Sequence, residues 1–278
     1  MVCETKILAE DSAAIANPHK EPLKLPPAQV WPPASHSLCP PVSSEGDEKS
    51  KEQPYIREFQ QGDQETVRSI FYQGIKERIP SSAFGGLRCQ PLLQCLYAIM
   101  TVICFVVTSS LLLTCCVPVL VMGLRYYYSR KIILGVLECA LRTDMSDIEQ
   151  FYMKQPGSCF WVAVLDGKVI GIAAARGNEE NNVVELRRMS VDANYRGKGI
   201  AKALGRKVVE FAMLNHYSSI VLGTTAVKLA AHKLYESLGF KHLGVIEHHT
   251  VPCMTQSIAE RMFFQLRYHR YCLQIHEE

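Results

Sequence analysis

The sequence lacks the residue patterns that identify metal sites and disulfide frameworks. It contains eleven cysteines, but no two of them form a CxxC pair and none has the spacing from a histidine that zinc ligands show. Several cysteines lie inside an apolar run, for example Cys95, Cys104, Cys115 and Cys116. We therefore expect no bound metal, and we expect reduced, buried thiols in a protein that faces a reducing compartment.

The sequence also lacks a large excess of charge of one sign. The net charge is +3, and neither a basic run nor a basic patch interleaved with aromatic residues is present. Nucleic acid is therefore not an expected partner. The segment from Met1 to Glu10 carries charges and has no apolar core, so we expect no cleaved signal peptide. At 278 residues the chain is long enough for one sizeable globular domain with additions.

A third absence concerns one internal segment. The 36 residues from Cys89 to Leu124 include no charged side chain, whereas Arg88 precedes them and Arg125, Arg130 and Lys131 follow. A single spanning helix needs about 20 apolar residues, so the run is too long for one span and too short for two. Basic residues at both ends do not favour ends on opposite sides of a membrane. We interpret residues 89–124 as a membrane-embedded hairpin; the alternative is a buried core helix.

The N-terminal segment, residues 1–54, is rich in proline. It holds nine of the fourteen prolines, separated by Ser, Glu and Lys. Such a composition buries too little apolar surface to offset the entropy of ordering the chain, so we predict a disordered tail. The alternative is a proline-rich docking segment around residues 26–33.

Two globular parts are predicted on either side of the apolar run. Residues 55–88 start with a strand candidate, Tyr55–Phe59, and continue with helical spacing of apolar residues from Val67 to Ile79. Residues 125–278 hold the main part of the domain. There Thr143–Glu149 has the caps and early acids of a helix start.

A hairpin and a third strand follow in the main part. The β-rich runs Ser158–Leu165 and Lys168–Arg176 are joined by Asp166-Gly167, a strong signal for a two-residue turn. Val183–Val191 is predicted to be a third antiparallel strand. Beyond it we expect a helix over 200–214, a strand over 219–223, a helix ending at Gly239, and two final strands within Phe240–Thr250 and Met262–Cys272.

The stretch Arg196-Gly197-Lys198-Gly199-Ile200-Ala201 lies between the third strand and the next helix. Its two glycines allow a tight turn with little side-chain bulk. The helix that begins directly afterwards adds free amide groups and the positive end of its dipole. This combination indicates an anion site suited to a pyrophosphate. The spacing fits neither the dinucleotide-binding glycine pattern nor the P-loop.

Two motifs in this order resemble the signatures of GNAT-superfamily acetyltransferases. Arg196–Ala201 is similar to that family's Arg/Gln-x-x-Gly-x-Gly/Ala motif, and Ala231–Phe240 is similar to its second signature. Lys228 departs from the pattern, because the family often has an asparagine there. The stretches Thr143–Ile148 and Gly157–Ala163, together with the apolar run, resemble the membrane-bound branch that includes the camello-like N-acetyltransferases.

The resemblance implies an α/β (α+β) fold of GNAT type: a mixed, mainly antiparallel sheet flanked by helices, with a hydrophobic membrane insertion after the first helix. It also implies acetyl-CoA as co-substrate and L-aspartate as acceptor, with N-acetyl-L-aspartate and coenzyme A as products. In that family the loop amides bind the pyrophosphate, and the preceding strand pairs with the pantetheine arm. The expected coenzyme-binding residues are therefore Met189, Ser190, Val191, Arg196, Gly197, Lys198, Gly199, Ile200 and Ala201.

Candidate catalytic residues follow from the chemistry of amide formation. The departing thiolate needs a proton donor, and the resemblance implies Tyr235; otherwise Tyr235 is a half-buried aromatic residue. Glu185, on the strand entering the loop, is positioned to deprotonate the amine, or is a solvated strand carboxylate. Asp144 is a weaker candidate because a residue at a helix start usually caps it. Cys159 has no paired base in the sequence, so we expect direct transfer without a covalent acetyl-enzyme.

An acceptor with two carboxylates needs cationic or N–H-rich groups around it. Arg187 and Arg188 are expected on opposite faces of their strand, since side chains alternate, so only one of them, by preference Arg188, is expected to face the cleft. Lys228 and His232 lie one helical turn apart and are further candidates for the substrate site, although each residue type is more often found on the surface.

The topology of the chain sets the expected location. If Tyr55–Phe59 belongs to the same sheet as the hairpin, both ends of residues 89–124 lie on one side of the membrane. We expect a cytosolic catalytic domain on the endoplasmic reticulum membrane, with a mitochondrial membrane as the alternative. Rival functions are N-acetylation of cysteine S-conjugates or protein lysines, and a non-catalytic acyl-CoA-binding membrane protein. Oligomeric state is not predicted.

Overall fold

The computed structural model describes residues 53–85, 91–225, 229–246, 257, 260, 263 and 268–275. Residues 1–52 of the predicted tail lie outside this part of the chain, and so do Lys228 and residues 247–250 of the predicted strand that begins at Phe240.

One seven-stranded sheet forms the framework. Its strands are β1 (Tyr55–Glu58), β2 (Ser158–Leu165), β3 (Lys168–Asn178), β4 (Val183–Val191), β5 (Ser219–Thr225), β6 (Lys241–Ile246) and β7 (Tyr268–Gln274), in the order β1-β2-β3-β4-β5-β7-β6. All neighbouring strands are antiparallel except β4 and β5, which are parallel. The predicted mixed, mainly antiparallel sheet is therefore confirmed.

The helices occupy both faces of this sheet. They are α1 (Gln64–Lys76), α2 (Arg78–Pro80), α3 (Pro91–Thr108), α4 (Leu111–Arg142), α5 (Ile200–Leu214) and α6 (Leu229–Ser237). Short turns of 3-10 or π-helix lie at Gln61–Asp63, Ser81–Gly85, Glu149–Met153 and Ala193–Tyr195. The predicted bounds of β2, β4 and α5 agree with the structure.

Successive side chains along each strand point to opposite faces of the sheet, so the core has two layers. On one face, apolar side chains of α1 and the C-terminal half of α4 pack against the sheet: Val67, Ile70, Phe71, Ile75, Ile133 and Leu137 contact a layer that includes Phe160, Val162, Val164, Ile172 and Ala174. On the other face, α5 and α6 cover Trp161, Ala163, Ile170, Ala173 and Ala175. The result is a sheet between two helical layers, as expected.

Helices α3 and α4 form an antiparallel hairpin inserted after α1. The chain reverses at Ser109, which has a positive φ of 48°, and Arg125 of α4 donates a hydrogen bond to the Tyr97 hydroxyl of α3 at 3.4 Å. Apolar side chains near the tip are exposed; Val107 and Leu112 are each 77% accessible. Burial within α4 begins at Arg125, so α4 runs continuously from the exposed hairpin into the domain.

Two local expectations need correction. Thr143–Glu149 was expected to start a helix, but residues 143–146 form a turn and only the single turn Glu149–Met153 follows. Asp147 caps that turn through the Gln150 N–H at 2.9 Å. Among the described cysteines, Cys139 of α4 is disulfide-bonded, whereas six others are free thiols. The expectation of reduced thiols is therefore wrong at Cys139.

Candidate active site

The stretch Arg196–Ala201, called the glycine loop below, lines a cavity of about 1190 Å³. Gly197 and Gly199 have φ angles of 78° and 80°, a region that favours glycine because it has no Cβ. Gly199 precedes the first residue of α5, and no side chain caps this helix. The first-turn residues Ile200, Ala201 and Lys202 line the cavity. Their N–H groups have no intrahelical acceptors, so this end of α5 can accept an anion.

The parallel strands β4 and β5 separate part-way along their length, and the residues that border the gap form a second wall of the cavity. The pairing of β4 with β5 covers only Val183↔Ser219, Val184↔Ile220 and Glu185↔Val221. Beyond this point both strands continue, and Leu186–Val191 and Val221–Thr225 line the gap between them. The backbone groups of β4 that face the gap are therefore not used by β5, and an extended ligand can pair with them as an added strand would.

A bulge distorts β4 next to this gap. Ile172 pairs with Ser190 and Ala174 pairs with Arg187, so two residues of β4 oppose one residue of β3. Arg188 takes a φ of 53° there. Because a bulge interrupts the alternation of side chains, both Arg187 and Arg188 line the cavity. The expectation that only one of them faces the cleft is wrong for this reason.

Arg188 forms a buried ion pair with Asp144. Its Nε donates to Oδ2 at 2.7 Å and its Nη2 donates to Oδ1 at 2.6 Å, and the Tyr152 hydroxyl donates to the same carboxylate. Burial alone would raise the pKa of the Asp144 carboxyl, but the charge and hydrogen bonds of Arg188 outweigh it and hold this pKa below its ordinary value. The guanidinium also lies over the Phe71 ring, 5.1 Å from its centroid.

Tyr235 of α6 lies on the cavity wall. It is 8% exposed and packs edge-on against Phe240, with ring centroids 5.9 Å apart. Burial raises the pKa of its hydroxyl to about 12, and the charge of Arg78 acts in the opposite direction. The hydroxyl therefore keeps its proton throughout the neutral range and can donate a hydrogen bond.

Glu185 lies where the two parallel strands separate. Its carboxylate is 3.7 Å from the Arg187 Nε, and both residues line the cavity. At this distance the two charges attract each other but do not form a bidentate salt bridge. The carboxylate can therefore also accept a proton from a bound amine or water.

The cavity wall carries more positive than negative side chains. Among the described residues that line it, seven are cationic and three are carboxylates: Arg78, Arg176, Arg187, Arg188, Arg196, Lys202 and Arg270 against Glu77, Asp144 and Glu185. The described part of the wall therefore has a formal excess of four positive charges. Such a cavity favours anionic ligands. Among the described residues, no cluster of three or more His, Cys, Asp or Glu side chains has the arrangement to hold a metal ion.

Comparisons with known proteins agree with this architecture. The family model described as Acetyltransferase (GNAT) family matches residues 128–240. N-acetylaspartate synthetase of Xenopus tropicalis is 73% identical over 264 residues, which cover 93% of this chain and 97% of the relative. N-acetylaspartate synthetase of Homo sapiens is 57% identical over 295 residues, covering 100% and 98%. The chain belongs to the N-acetylaspartate synthetase family of GNAT acetyltransferases. A more distant relative, N-acetyltransferase 8B of Homo sapiens, is 36% identical and covers 69% of this chain and 86% of its own length.

The structure brings most of the candidate residues of this synthetase-family chain to one cavity. Tyr235, Glu185 and Asp144 line it, together with Arg187, Arg188 and the coenzyme candidates Met189, Ser190, Val191, Arg196, Gly197, Gly199, Ile200 and Ala201. Lys198 is exposed, with its Nζ 5.2 Å from the centroid of the Tyr195 ring. Lys228 lies outside the described residues.

His232 is held away from the cavity wall. Its Nδ1 is 2.6 Å from the Tyr271 hydroxyl and its Nε2 is 3.2 Å from the Thr225 carbonyl oxygen. Both ring nitrogens are therefore engaged within the domain, and His232 is not among the described residues that line the cavity; its contact with an acceptor stays a prediction.

Sequence reasoning missed four of the cavity cations, Arg78, Arg176, Lys202 and Arg270. Arg176 lies over the Phe151 ring at 4.5 Å. In the sequence Arg78 follows the amphipathic α1 and two other charged residues, and it looks like a surface residue. Its orientation depends on how α2 packs, and local patterns do not determine that.

Proposed function

We propose that this chain transfers the acetyl group of acetyl-CoA to the amino group of L-aspartate, giving N-acetyl-L-aspartate and coenzyme A. The observation that carries the proposal is the single cavity that joins the uncapped start of α5, the gap between β4 and β5, and a formal excess of four positive charges. Relatives named N-acetylaspartate synthetase, similar over almost their whole length, support the choice of acceptor.

The coenzyme occupies the side of the cavity formed by the glycine loop. The amides of Gly197 to Ala201 bind the pyrophosphate, since they combine free N–H groups with the positive end of the α5 dipole. Arg196 adds charge there; its Nε is already held by the Val191 carbonyl oxygen at 3.0 Å and its Nη2 by Glu77 at 2.7 Å. The pantetheine arm runs along Met189–Val191, where the strand edge faces the gap.

The acceptor amine attacks the thioester directly. Its nitrogen forms a bond to the carbonyl carbon, the carbon–sulfur bond breaks, and the sulfur leaves as a thiolate that takes a proton. Glu185 accepts the proton that the amine loses, directly or through water. The described cavity wall does not include Cys159, whose thiol pKa burial raises to about 12. A route through an acetylated cysteine there is therefore disfavoured.

Tyr235 protonates the leaving sulfur. A thiol titrates near about 8.5, so complete transfer from a tyrosine at about 12 is uphill by about 5 kcal/mol. This energetic cost is avoided if Tyr235 receives a proton from the acidic ammonium of the tetrahedral intermediate while it gives its own proton to the sulfur. Tyr235 thus passes to the sulfur the single proton that the nitrogen loses, and Glu185 carries that proton from the nitrogen towards Tyr235.

We infer that the α3–α4 hairpin attaches the catalytic domain to a membrane. Of the described helices, α4 is long and apolar enough to cross a bilayer, by length and composition alone. Its exposed part, residues 111–124, is about 21 Å long at 1.5 Å per residue, against a hydrocarbon core of about 30 Å. The hairpin therefore enters the bilayer and returns. Exposed aromatic residues Phe84, Tyr126 and Tyr127 lie at its base, where an interfacial belt is expected.

Both ends of the hairpin return to the same sheet, because β1 pairs with β2 on either side of it in sequence. The catalytic domain therefore lies on one face of the membrane. We assign this to the cytosolic face of the endoplasmic reticulum, where both substrates are accessible, with a mitochondrial membrane as the alternative.

An acceptor panel tests the activity. The purified full chain in detergent is incubated with acetyl-CoA and, separately, L-aspartate, L-glutamate, an S-substituted cysteine and a lysine peptide, and acetylated products are identified by mass spectrometry. N-acetyl-L-aspartate as the main product supports the proposal. A preference for the S-substituted cysteine or the peptide favours the rival acceptors, and no product with any amine favours a non-catalytic acyl-CoA-binding protein.

A further inference from the structure

Arg78 differs from the cavity cations Arg187, Arg188 and Arg196, because no carboxylate in the described part of the chain forms an ion pair with it. Its side chain is half-buried and lines the cavity, and its buried Nε makes no hydrogen bond within the part of the chain that the structure describes. The residue begins α2, and its carbonyl oxygen accepts a hydrogen bond from the Ser81 hydroxyl at 3.0 Å. The backbone beneath the guanidinium is therefore fixed by local contacts.

The three carboxylates on the cavity wall are already engaged elsewhere. Asp144 binds Arg188 at 2.6 Å, Glu77 binds Arg196 at 2.7 Å, and Glu185 lies 3.7 Å from Arg187. None of them is left for Arg78. A buried cation without a counter-charge is unfavourable, and burial accordingly lowers the pKa of the Arg78 guanidinium. The described part of the cavity wall therefore holds no carboxylate that is free to pair with Arg78.

The position of Arg78 indicates where that anion lies. Its charge interacts with the hydroxyls of Tyr235 and Tyr268 and with the guanidinium groups of Arg188 and Arg196. If Tyr235 protonates the leaving sulfur, the thioester carbon lies close to it, and an attacking amine must approach within about 3–3.5 Å of that carbon. The carboxylates of an amino-acid acceptor then lie within a few ångströms of the amine, on the side where Arg78 stands.

We propose that Arg78 binds a carboxylate of the acceptor amino acid and makes the site selective for dicarboxylic over neutral acceptors. This rests on the proposed function. A guanidinium presents two parallel N–H groups to a carboxylate, and the bound acceptor supplies the counter-charge that the protein lacks. Asparagine, which differs from aspartate by replacing one carboxylate with an amide, leaves the cation without that charge.

Three chains test the role of Arg78: the wild type, Arg78→Gln and Arg78→Lys. Lys76→Gln is the matched control, because this exposed α1 cation lies over the Tyr72 ring at 5.8 Å, away from the cavity wall. A charged hydrogen bond is worth about 1.5–3 kcal/mol, so Arg78→Gln should raise the KM for aspartate by about 10- to 100-fold. It should abolish the preference for aspartate over asparagine and leave the KM for acetyl-CoA unchanged. Arg78→Lys should recover part of the preference, and Lys76→Gln should match the wild type.

Direct binding separates failure of this inference from failure of the proposed function. Calorimetric titration of L-aspartate into each chain saturated with coenzyme A should show binding to the wild type and loss of binding in Arg78→Gln. Acetyl-CoA titration and thermal melting establish that each variant is folded. Equal aspartate binding by wild type and Arg78→Gln, or none by the wild type, overturns the role of Arg78. A raised KM for acetyl-CoA alone overturns it too and assigns Arg78 to a coenzyme phosphate. Aspartate that binds without being acetylated instead overturns the proposed function.

Discussion

Asp144 and Arg188 lie 44 residues apart in sequence and hold each other through two hydrogen bonds on the cavity wall, of 2.7 and 2.6 Å. The carboxylate comes from the turn after α4, and the guanidinium comes from the bulge in β4. The pair therefore joins the helical layer that carries the hairpin to the strand that we assign to the coenzyme. It gives Asp144 a positioning role, because its oxygens are occupied by Arg188 and Tyr152.

Asp144→Asn should destabilise the protein strongly at pH 7. Breaking a buried ion pair by removing one partner costs about 3–5 kcal/mol, and Asp144 is 2% exposed. Urea denaturation followed by circular dichroism measures the difference. Asp147→Asn, which alters an exposed cap three residues away, is the matched control and should cost about 1 kcal/mol or less. Equal losses in the two variants would contradict the structural role of the pair.

The same pair predicts a pH dependence of stability. The folded-state pKa of Asp144 lies below its ordinary value, so the stabilisation is complete above the unfolded pKa of about 4 and is lost as the pH falls through the folded pKa. The difference between wild type and Asp144→Asn should therefore be constant from pH 5 upwards and shrink below about pH 4. A difference that instead grows on acidification would show that the sign is wrong.

Substitutions at Tyr235 and Arg196 should separate turnover from coenzyme binding. Tyr235→Phe removes the proton relay and keeps the ring packed, so kcat should fall by about 10²- to 10⁴-fold while acetyl-CoA binds as before. Arg196→Ala removes a cation beside the loop, so the KM for acetyl-CoA should rise by about tenfold or more with a smaller effect on kcat. Lys207→Ala, an exposed cation of the same helix α5 that pairs with Glu210 at 3.0 Å, is the control. Reversal of the two effects would refute both roles.

The pH–rate profile should rise and then remain level. The acceptor amine must be deprotonated to attack, so kcat/KM should increase with pH through the titration of the amine. Because burial raises the pKa of Tyr235 to about 12, deprotonation of the relay should cause no fall in rate up to about pH 10. An alkaline decrease below pH 10 that is present in the wild type and missing in Tyr235→Phe would contradict this assignment.

Much of the fold could be predicted because it is determined locally. Asp166-Gly167 adopts positive φ angles of 49° and 71°, as a two-residue hairpin turn requires, so the bounds of β2 were predictable. The end of β4 and the start of α5 were predictable for the same reason, since the glycine loop separates them. The proposed coenzyme side of the cavity rests on the resemblance of the two GNAT motifs.

The parts that escaped prediction depend on distant contacts. The bulge at Arg188 arises from the pairing of β4 with β3, and it turns two neighbouring arginines into one cavity. Asp144 has the sequence position of a helix cap, but its carboxylate binds Arg188, and Asp147 caps the single helical turn that follows. Arg78 looks like an ordinary surface residue until the packing of α2 places it beside Tyr235.

The hairpin predicts a single-sided topology. Protease added to sealed microsomes should remove an epitope tag placed at either terminus, because both ends of residues 89–124 return to one sheet, which we propose lies on the cytosolic face. Permeabilising the membrane should cause no further loss. Protection of one terminus but not the other would require the hairpin to cross the membrane and would contradict the re-entrant arrangement.

The central claim is that the cavity acetylates aspartate with acetyl-CoA. Release of the free thiol of coenzyme A by the purified full chain, followed with and without L-aspartate, tests it most directly. The account predicts thiol release that depends on aspartate, saturates with its concentration and is lost in Tyr235→Phe. Thiol release that is the same with and without aspartate, or no release at all from folded protein that binds acetyl-CoA, would contradict it.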